Sequence, residues 1–89
     1  SIDRRLQGAL FEDLPAKTRS EQVRGVLLSE LERGSRLSRQ GLRPGDIITG
    51  VNRARVASLA EFQDAILRAD GQIILQLRRN QSDYVARID

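Results

Sequence analysis

Glycine and proline divide this chain into short pieces, and this punctuation limits the possible folds more than any other feature of the sequence. Seven Gly and two Pro are spread over 89 residues, and most intervals between them are shorter than a typical helix. Residues 51–70 form a longer interval, and they carry apolar residues at helical spacing. The pattern therefore predicts several short strands together with one main helix.

Chain length and residue usage exclude several classes of protein. Eighty-nine residues are enough for one small core. The sequence contains no Cys and no His, which excludes a disulfide framework, the common zinc sites and the Ser-His-Asp triad. The apolar runs are too short to cross a membrane. We expect one aliphatic core, with no catalytic residues, no metal and no cofactor in this chain.

The apolar segments predict five or six strands. One carries Ile73, Leu75 and Leu77 on a single face, the alternation of a half-buried strand. The predicted strands cover residues 6–11, 25–31, 47–52, 54–56 and 72–78, and a final strand carries Tyr84, Ala86 and Ile88 on one face. Residues 12–24 are almost wholly polar, which indicates a long loop.

Two helices have start and stop signals. Ser58 and Glu61 form a capping box in front of a helix predicted over residues 59–69, and Gly71 follows it. Ser35 can cap a short helix that ends at Gly41. Strands of this length with two helices predict an α+β fold, namely a small, partly open β-barrel or sandwich capped by one main and one short helix.

The residues between the two helices carry a resemblance. Gly34-Ser35, followed by Leu42, Pro-Gly-Asp-Ile-Ile (residues 44–48) and Gly-Val-Asn (residues 50–52), resembles a PDZ domain. The arrangement resembles the circularly permuted PDZ domains of HtrA-type (DegP/DegQ-like) serine proteases, and most of all their second, C-terminal PDZ domain. The resemblance covers residues 6–88. It implies a single PDZ-like domain over residues 6–89, and the polar residues 1–5 are interpreted as a linker remnant.

A peptide groove can also be argued from the residues. An apolar edge strand beside an apolar helix stripe can accept an extended peptide through backbone hydrogen bonds, and turn amides can hold its carboxylate. Alternation turns Ala9 and Phe11 towards such a groove and Leu10 away from it. The candidate peptide-binding residues are Leu6, Gln7, Gly8 and Ala9 in the turn, Leu10 and Phe11 in the strand, and Leu59, Gln63 and Ile66 on the helix.

Some of these residues have a plainer explanation. For each of Leu6, Phe11 and Ile66, a place in the core is favoured over a role in the groove, because periodic apolar residues mostly indicate burial. In PDZ domains the position of Ala9 usually holds a larger apolar residue, so the resemblance implies a reshaped pocket for the terminal residue of a peptide.

The resemblance implies a noncatalytic module of a periplasmic serine protease and chaperone of the bacterial envelope. It would bind C-terminal or extended segments of unfolded proteins, or contact other domains and protomers of the same protease, and the catalytic residues would lie outside the chain. An Arg-rich RNA-binding domain is the alternative, because fourteen Arg and one Lys outnumber twelve acidic residues and leave a net charge of +3. Acidic residues are interspersed among them and no aromatics accompany the Arg pairs, which favours a mixed solvated surface without nucleic acid or membrane insertion.

Overall fold

The computed structural model describes residues 3–18 and 23–88. A 3-10 turn over Arg4–Leu6 comes first. The following elements, in chain order, are β1 (Ala9–Asp13), β2 (Val26–Leu31), α1 (Arg36–Arg39), β3 (Ile47–Val51), β4 (Ala54–Arg55), α2 (Leu59–Arg68), β5 (Ile73–Arg79) and β6 (Ser82–Ile88).

The strands form one antiparallel sheet in the order β1-β2-β3-β5-β6, and β4 pairs with β3. β1 and β6 are therefore the two edge strands of this order. The short helix follows β2, and the main helix lies between β4 and β5 in the chain. The predicted α+β architecture of six short strands with one main and one short helix is confirmed.

The core lies on one face of the sheet. The alternation predicted for β5 is confirmed, because Ile73, Leu75 and Leu77 are all buried. From α2, Phe62 and Ile66 pack into the same cluster. The other buried hydrophobic residues of this cluster are Leu6, Val26, Leu28, Leu37, Leu42, Ile48, Val51, Val56, Ala86 and Ile88.

The three residues predicted to share one face of the final strand differ in burial. Ala86 and Ile88 are buried, but Tyr84 keeps 47% of its surface exposed. Tyr84 lies nearer the hairpin end of β6. There the guanidinium carbon of Arg79 lies over the Tyr84 ring, 5.2 Å from the ring centroid. A charged neighbour with access to solvent therefore replaces apolar packing here.

Both predicted helix starts are confirmed. The Glu61 N–H donates to Ser58 Oγ (3.2 Å) at the start of α2. Glu61 Oε1 in turn accepts from Ala57 N (2.7 Å), one residue before the cap. At α1 the Ser38 N–H donates to Ser35 Oγ at 3.3 Å.

The N-terminal boundaries differ from the prediction. The strand expected at residues 6–11 lies at Ala9–Asp13, and Leu6 is buried in the preceding 3-10 turn. The loop expected at residues 12–24 begins only after Asp13, and Leu14 is 3% exposed. Packing of Phe11 on α2 and of Leu14 in the interior keeps this part of the chain extended, which its polar neighbours did not indicate. Residues 19–22 of the expected loop lie outside the described residues.

Candidate functional site

The outer edge of β1 faces α2, and the space between them is the candidate groove. The rings of Phe11 and Phe62 meet with their centroids 4.6 Å apart at an interplanar angle of 41°. Ala9, Phe11 and Leu59 are partly buried against the core, whereas Leu10 is 54% exposed. The side chains of β1 therefore alternate as predicted, with Ala9 and Phe11 turned inward.

The hydrogen bonds of β1 show which backbone groups point outward. Glu32 N donates to the Gly8 carbonyl oxygen at 2.7 Å, and Ala9 lies opposite Leu31 in the next pair. In an antiparallel ladder hydrogen-bonded and non-hydrogen-bonded pairs alternate. The N–H and C=O of Ala9 therefore point away from β2, towards the free edge that a peptide strand would join.

Only part of the predicted amide nest remains available. The Leu6 N–H donates to Asp3 O at 3.0 Å and the Gln7 N–H to Arg4 O at 3.3 Å, both within the 3-10 turn. These two amides are already engaged. The candidate donors for a carboxylate are thereby narrowed to Gly8 and Ala9.

The turn in front of β1 requires glycine. Gly8 has a φ of +90°, and a Cβ atom there would lie 3.1 Å from Ser35 Cβ and 3.2 Å from Glu32 Cβ. A larger residue would be strained in its backbone and crowded by its neighbours. Gly8 therefore lets the chain turn sharply into β1 while its carbonyl pairs with Glu32.

A basic concavity of about 470 Å³ lies beside this turn. Four guanidinium groups and one carboxylate line it, so its potential is positive on balance. The lining residues are Arg4, Gln7, Glu32, Arg33, Gly34, Ser35, Arg36 and Arg39. The four guanidinium groups would attract an anionic group at the entrance to β1, and the Glu32 carboxylate would weaken this attraction.

Arg5 joins the turn to the far end of α2. Its Nη1 donates to the carbonyl oxygens of Ala69 (3.0 Å) and Gly71 (2.6 Å), and its Nη2 pairs with the Asp3 carboxylate at 2.7 Å. The Arg5 hydrogen bond lowers the pKa of Asp3 to about 2.

No sequence pattern indicated a role for Arg5, which falls in the segment predicted to be a linker. That domain boundary stays a prediction, although Asp3 and Arg5 contact the domain.

Asp13 joins β1 to α2 at the opposite end of the groove. Its Oδ1 accepts a hydrogen bond from the Leu59 N–H at 2.7 Å. Amides in the first turn of a helix have no partner within that helix, so Asp13 satisfies one such amide of α2. Asp13 falls in the segment predicted to be a loop, residues 12–24. The groove is thus held at both ends, by Arg5 where β1 begins and by Asp13 where β1 finishes.

The predicted site residues separate into two groups. Leu6 and Ile66 are 7% and 4% exposed, so their side chains belong to the core, as the plainer explanation held. Gln63 is exposed and Leu59 half-buried on α2. Leu10 presents its side chain to the opposite side of β1. Gly8, Ala9, Phe11, Leu59 and Gln63 are all at least partly exposed, so they remain the candidate residues of the groove.

In residues 3–18 and 23–88, no three acidic side chains come together in a way that could hold a metal ion. Across the same residues, no helix is long and apolar enough to cross a membrane.

Known proteases contain segments similar to this chain. Periplasmic pH-dependent serine endoprotease DegQ of Escherichia coli is 36% identical over 81 residues, which is 90% of this chain and 17% of DegQ. A probable periplasmic serine protease do/HhoA-like of Haemophilus influenzae is 28% identical over 79 residues, 89% of this chain and 16% of its own length. The chain thus spans about a sixth of these relatives, and their protease domain is not covered.

A solved structure and a family model show what the matching portion is. The crystal structure of the HtrA3 PDZ domain bound to a phage-derived ligand (FGRWV) has a TM-score of 0.77 and 26% identity, covering 91% of this chain and 79% of that one. The family model described as PDZ domain matches residues 29–79. None of these matches supports RNA binding. The sheet with its two helices and the sequence matches agree: the chain belongs to the PDZ domain family, and the PDZ domain is a noncatalytic module.

Proposed function

We propose that the chain binds C-terminal or extended segments of unfolded proteins by adding them to β1, beside α2. The observation that carries this proposal is the outward direction of the Ala9 N–H and C=O at an edge strand facing a helix. Such an edge offers main-chain hydrogen bonds for affinity, and side-chain pockets supply specificity. The structural neighbour in complex with FGRWV supports it, because that ligand is a short peptide.

The peptide would lie antiparallel to β1, with its carboxylate at the amides of Gly8 and Ala9. The basic concavity supports this orientation. Asp13 lies at the start of α2 and Arg5 at its end, so the terminal side chain would sit near the second half of the helix. Ile66 and its neighbours limit the depth there, which favours a small or medium apolar terminal residue. We expect a dissociation constant on the order of tens of micromolar.

The parent protein is part of the same proposal. The relatives are named periplasmic serine endoproteases, and the chain corresponds to a small portion of each. We infer that the chain is a PDZ domain of such a periplasmic protease, in which it captures unfolded segments for catalytic residues elsewhere in the protein. Its correspondence to the second PDZ domain stays a prediction from the resemblance.

The test uses FGRWV as a free acid and as a C-terminal amide, titrated into the labelled 89-residue chain while amide chemical shifts are followed. We expect shifts at residues 8–11 and along α2, and at least a tenfold weaker affinity for the amide, because charge-assisted hydrogen bonds are lost.

Ala9→Pro removes the outward N–H from an edge strand, where proline is tolerated, and should weaken peptide binding. Glu12→Ala is the matched control.

Two results would contradict the proposal. Shifts confined to Arg53, Arg55 and Arg78, with residues 6–11 unchanged, would indicate a charged-surface contact instead. Equal affinities for the free acid and the C-terminal amide would show that the peptide carboxylate does not bind the Gly8 and Ala9 amides.

A further inference from the structure

We propose that the chain associates with a second copy of itself through β6, with the two β6 strands running antiparallel across a two-fold axis at Val85. This surface is the opposite edge of the sheet from β1, so the inference goes beyond the proposed peptide groove and does not depend on it.

The β5–β6 hairpin fixes which backbone groups of β6 point outward. Asn80 and Gln81 both have positive φ (50° and 69°), as in the two-residue turns that close tight hairpins. In such a hairpin the flanking pair, here Arg79 and Ser82, is hydrogen-bonded. By alternation Tyr84 and Ala86 also direct their backbones to β5.

The other residues of β6 therefore present their backbones at the free edge. They are Asp83, Val85 and Arg87, and across residues 3–18 and 23–88 no strand pairs with this side of β6. Three residues with outward N–H and C=O groups, spaced two apart, are what a second antiparallel strand needs. A two-fold axis at Val85 would allow six hydrogen bonds between the two backbones.

Charge selects one register among those that the backbone permits. With the axis at Val85, Asp83 of each copy lies opposite Arg87 of the other, so two attractive pairs form on the same face. An axis at Asp83 or at Arg87 would place like charges opposite each other. An axis at Tyr84 or Ala86 would leave one charge of each copy opposite Val85. The strand is thus complementary to itself in one register.

The side chains of this edge are open to such pairing. Val85 is 65% exposed and Tyr84 is 47% exposed, and the axis would bring the two Val85 side chains together. Asp83 has an ion pair with Arg78 at 3.8 Å while its side chain is 80% exposed. A pair with such exposure is worth little, so Asp83 can exchange this partner for Arg87 of the second copy.

The interface would be small, because one strand pair buries less than a typical stable complex does. We therefore expect a dissociation constant on the order of 0.1–1 mM for the 89-residue chain. Sedimentation equilibrium, with loading concentrations up to about 2 mM, covers this range. Circular dichroism and urea unfolding of each variant confirm that its monomer is folded.

Charge reversal is the decisive experiment. Asp83→Arg alone, and Arg87→Asp alone, create like-charge pairs and should weaken self-association at least tenfold. A mixture of these two variants places opposite charges together in both pairs, so it should form a mixed dimer about as tightly as the original chain. The double variant Asp83→Arg/Arg87→Asp should also recover self-association. Val85→Pro, which removes one outward N–H at an edge position, should abolish it.

The outcomes decide the proposal in either direction. A chain that stays monomeric to about 2 mM, single charge variants that associate like the original chain, or a mixture that fails to associate would each overturn it. So would a dimer that Ala9→Pro disrupts and Val85→Pro does not, because that dimer would use β1.

Discussion

At the scale of single residues, one buried ion pair closes an end of the core. Asp46 is 2% exposed, and Arg79 donates to it from Nε (2.8 Å) and Nη2 (2.7 Å). The same Nη2 reaches the Gly41 carbonyl oxygen at 2.9 Å, and Asp46 also accepts from Arg43 N. The pair thus joins the end of β5 to the turns on both sides of Leu42. No sequence pattern identified Arg79 as the partner of Asp46.

Removing Arg79 should therefore leave a buried carboxylate without its counter-charge. We expect Arg79→Met to lower the free energy of unfolding by about 3 kcal/mol, as for other broken buried pairs. Arg78→Met is the matched control, because its pair with Asp83 is long and exposed, and we expect a loss below about 1 kcal/mol. Urea unfolding measures both. Equal losses would mean that Asp46 finds adequate partners without Arg79.

The low pKa of Asp3 predicts a pH dependence of stability. Its hydrogen bond with Arg5 lowers the pKa from 3.8 to about 2 in the folded chain. The unfolded state therefore takes up the proton first as the pH falls, and the stability that Asp3 contributes is lost between about pH 4 and pH 2. Asp3→Asn should cost about 1–2 kcal/mol at pH 6 and much less at pH 2.5. A cost that stays constant over this range would contradict the assignment.

At the scale of elements, β1 and α2 form one unit although 45 residues separate their ends. The Phe11–Phe62 contact connects their middles, Asp13 connects their neighbouring ends, and Arg5 connects the turn before β1 to the end of α2. These contacts fix the separation between the helix and the strand edge, so in the proposed binding mode this separation would not need to change when a peptide binds. Rigid support of this kind lowers the entropic cost of binding.

Asp13→Ala tests this connection. It removes the acceptor of the Leu59 N–H and the negative charge near the helix start, and we expect it to lower stability by about 1 kcal/mol. It should also weaken FGRWV binding, because the far end of the groove is released. Glu12→Ala, at an exposed neighbouring position, is the control for both readings. Unchanged peptide affinity would show that Asp13 only caps α2.

At the scale of the whole molecule, three strands, β2, β3 and β5, separate the two edge strands of the sheet. The free edge of β1 has α2 beside it, whereas in the described part of the chain no strand pairs with the free edge of β6. The two proposals together describe a module that holds a peptide at one edge and a second copy at the other. Within an assembly of several protomers, even weak pairing at β6 would gain from a high effective concentration.

The two edges should act independently. Saturating FGRWV should change the dissociation constant of the β6 dimer by less than about twofold, because coupling between sites requires two states with different affinities. Sedimentation equilibrium with and without peptide measures this. A larger change in either direction would indicate that the sheet has two arrangements and that peptide binding selects one.

The sequence by itself determined the elements that depend on local interactions. The Ser58–Glu61 capping box, the alternation of β5 and the sharp turn at Gly8 involve residues close in the chain, so their patterns could be interpreted directly. The alternation of residues 9–11 likewise predicted that Ala9 and Phe11 lie on the inner side of β1, where both are partly buried against the core.

Only the tertiary structure decided which charged residues matter and where the core ends. Arg5, Asp13 and Asp46 have partners 64, 46 and 33 residues away, and no local pattern distinguishes them from the other polar residues around them. Leu6 and Ile66 became core residues, and Tyr84 became an exposed one, because burial depends on which elements meet. A chain encodes contacts between distant residues only through its packed fold, and here those of Arg5 and Asp13 join the β1 segment to α2.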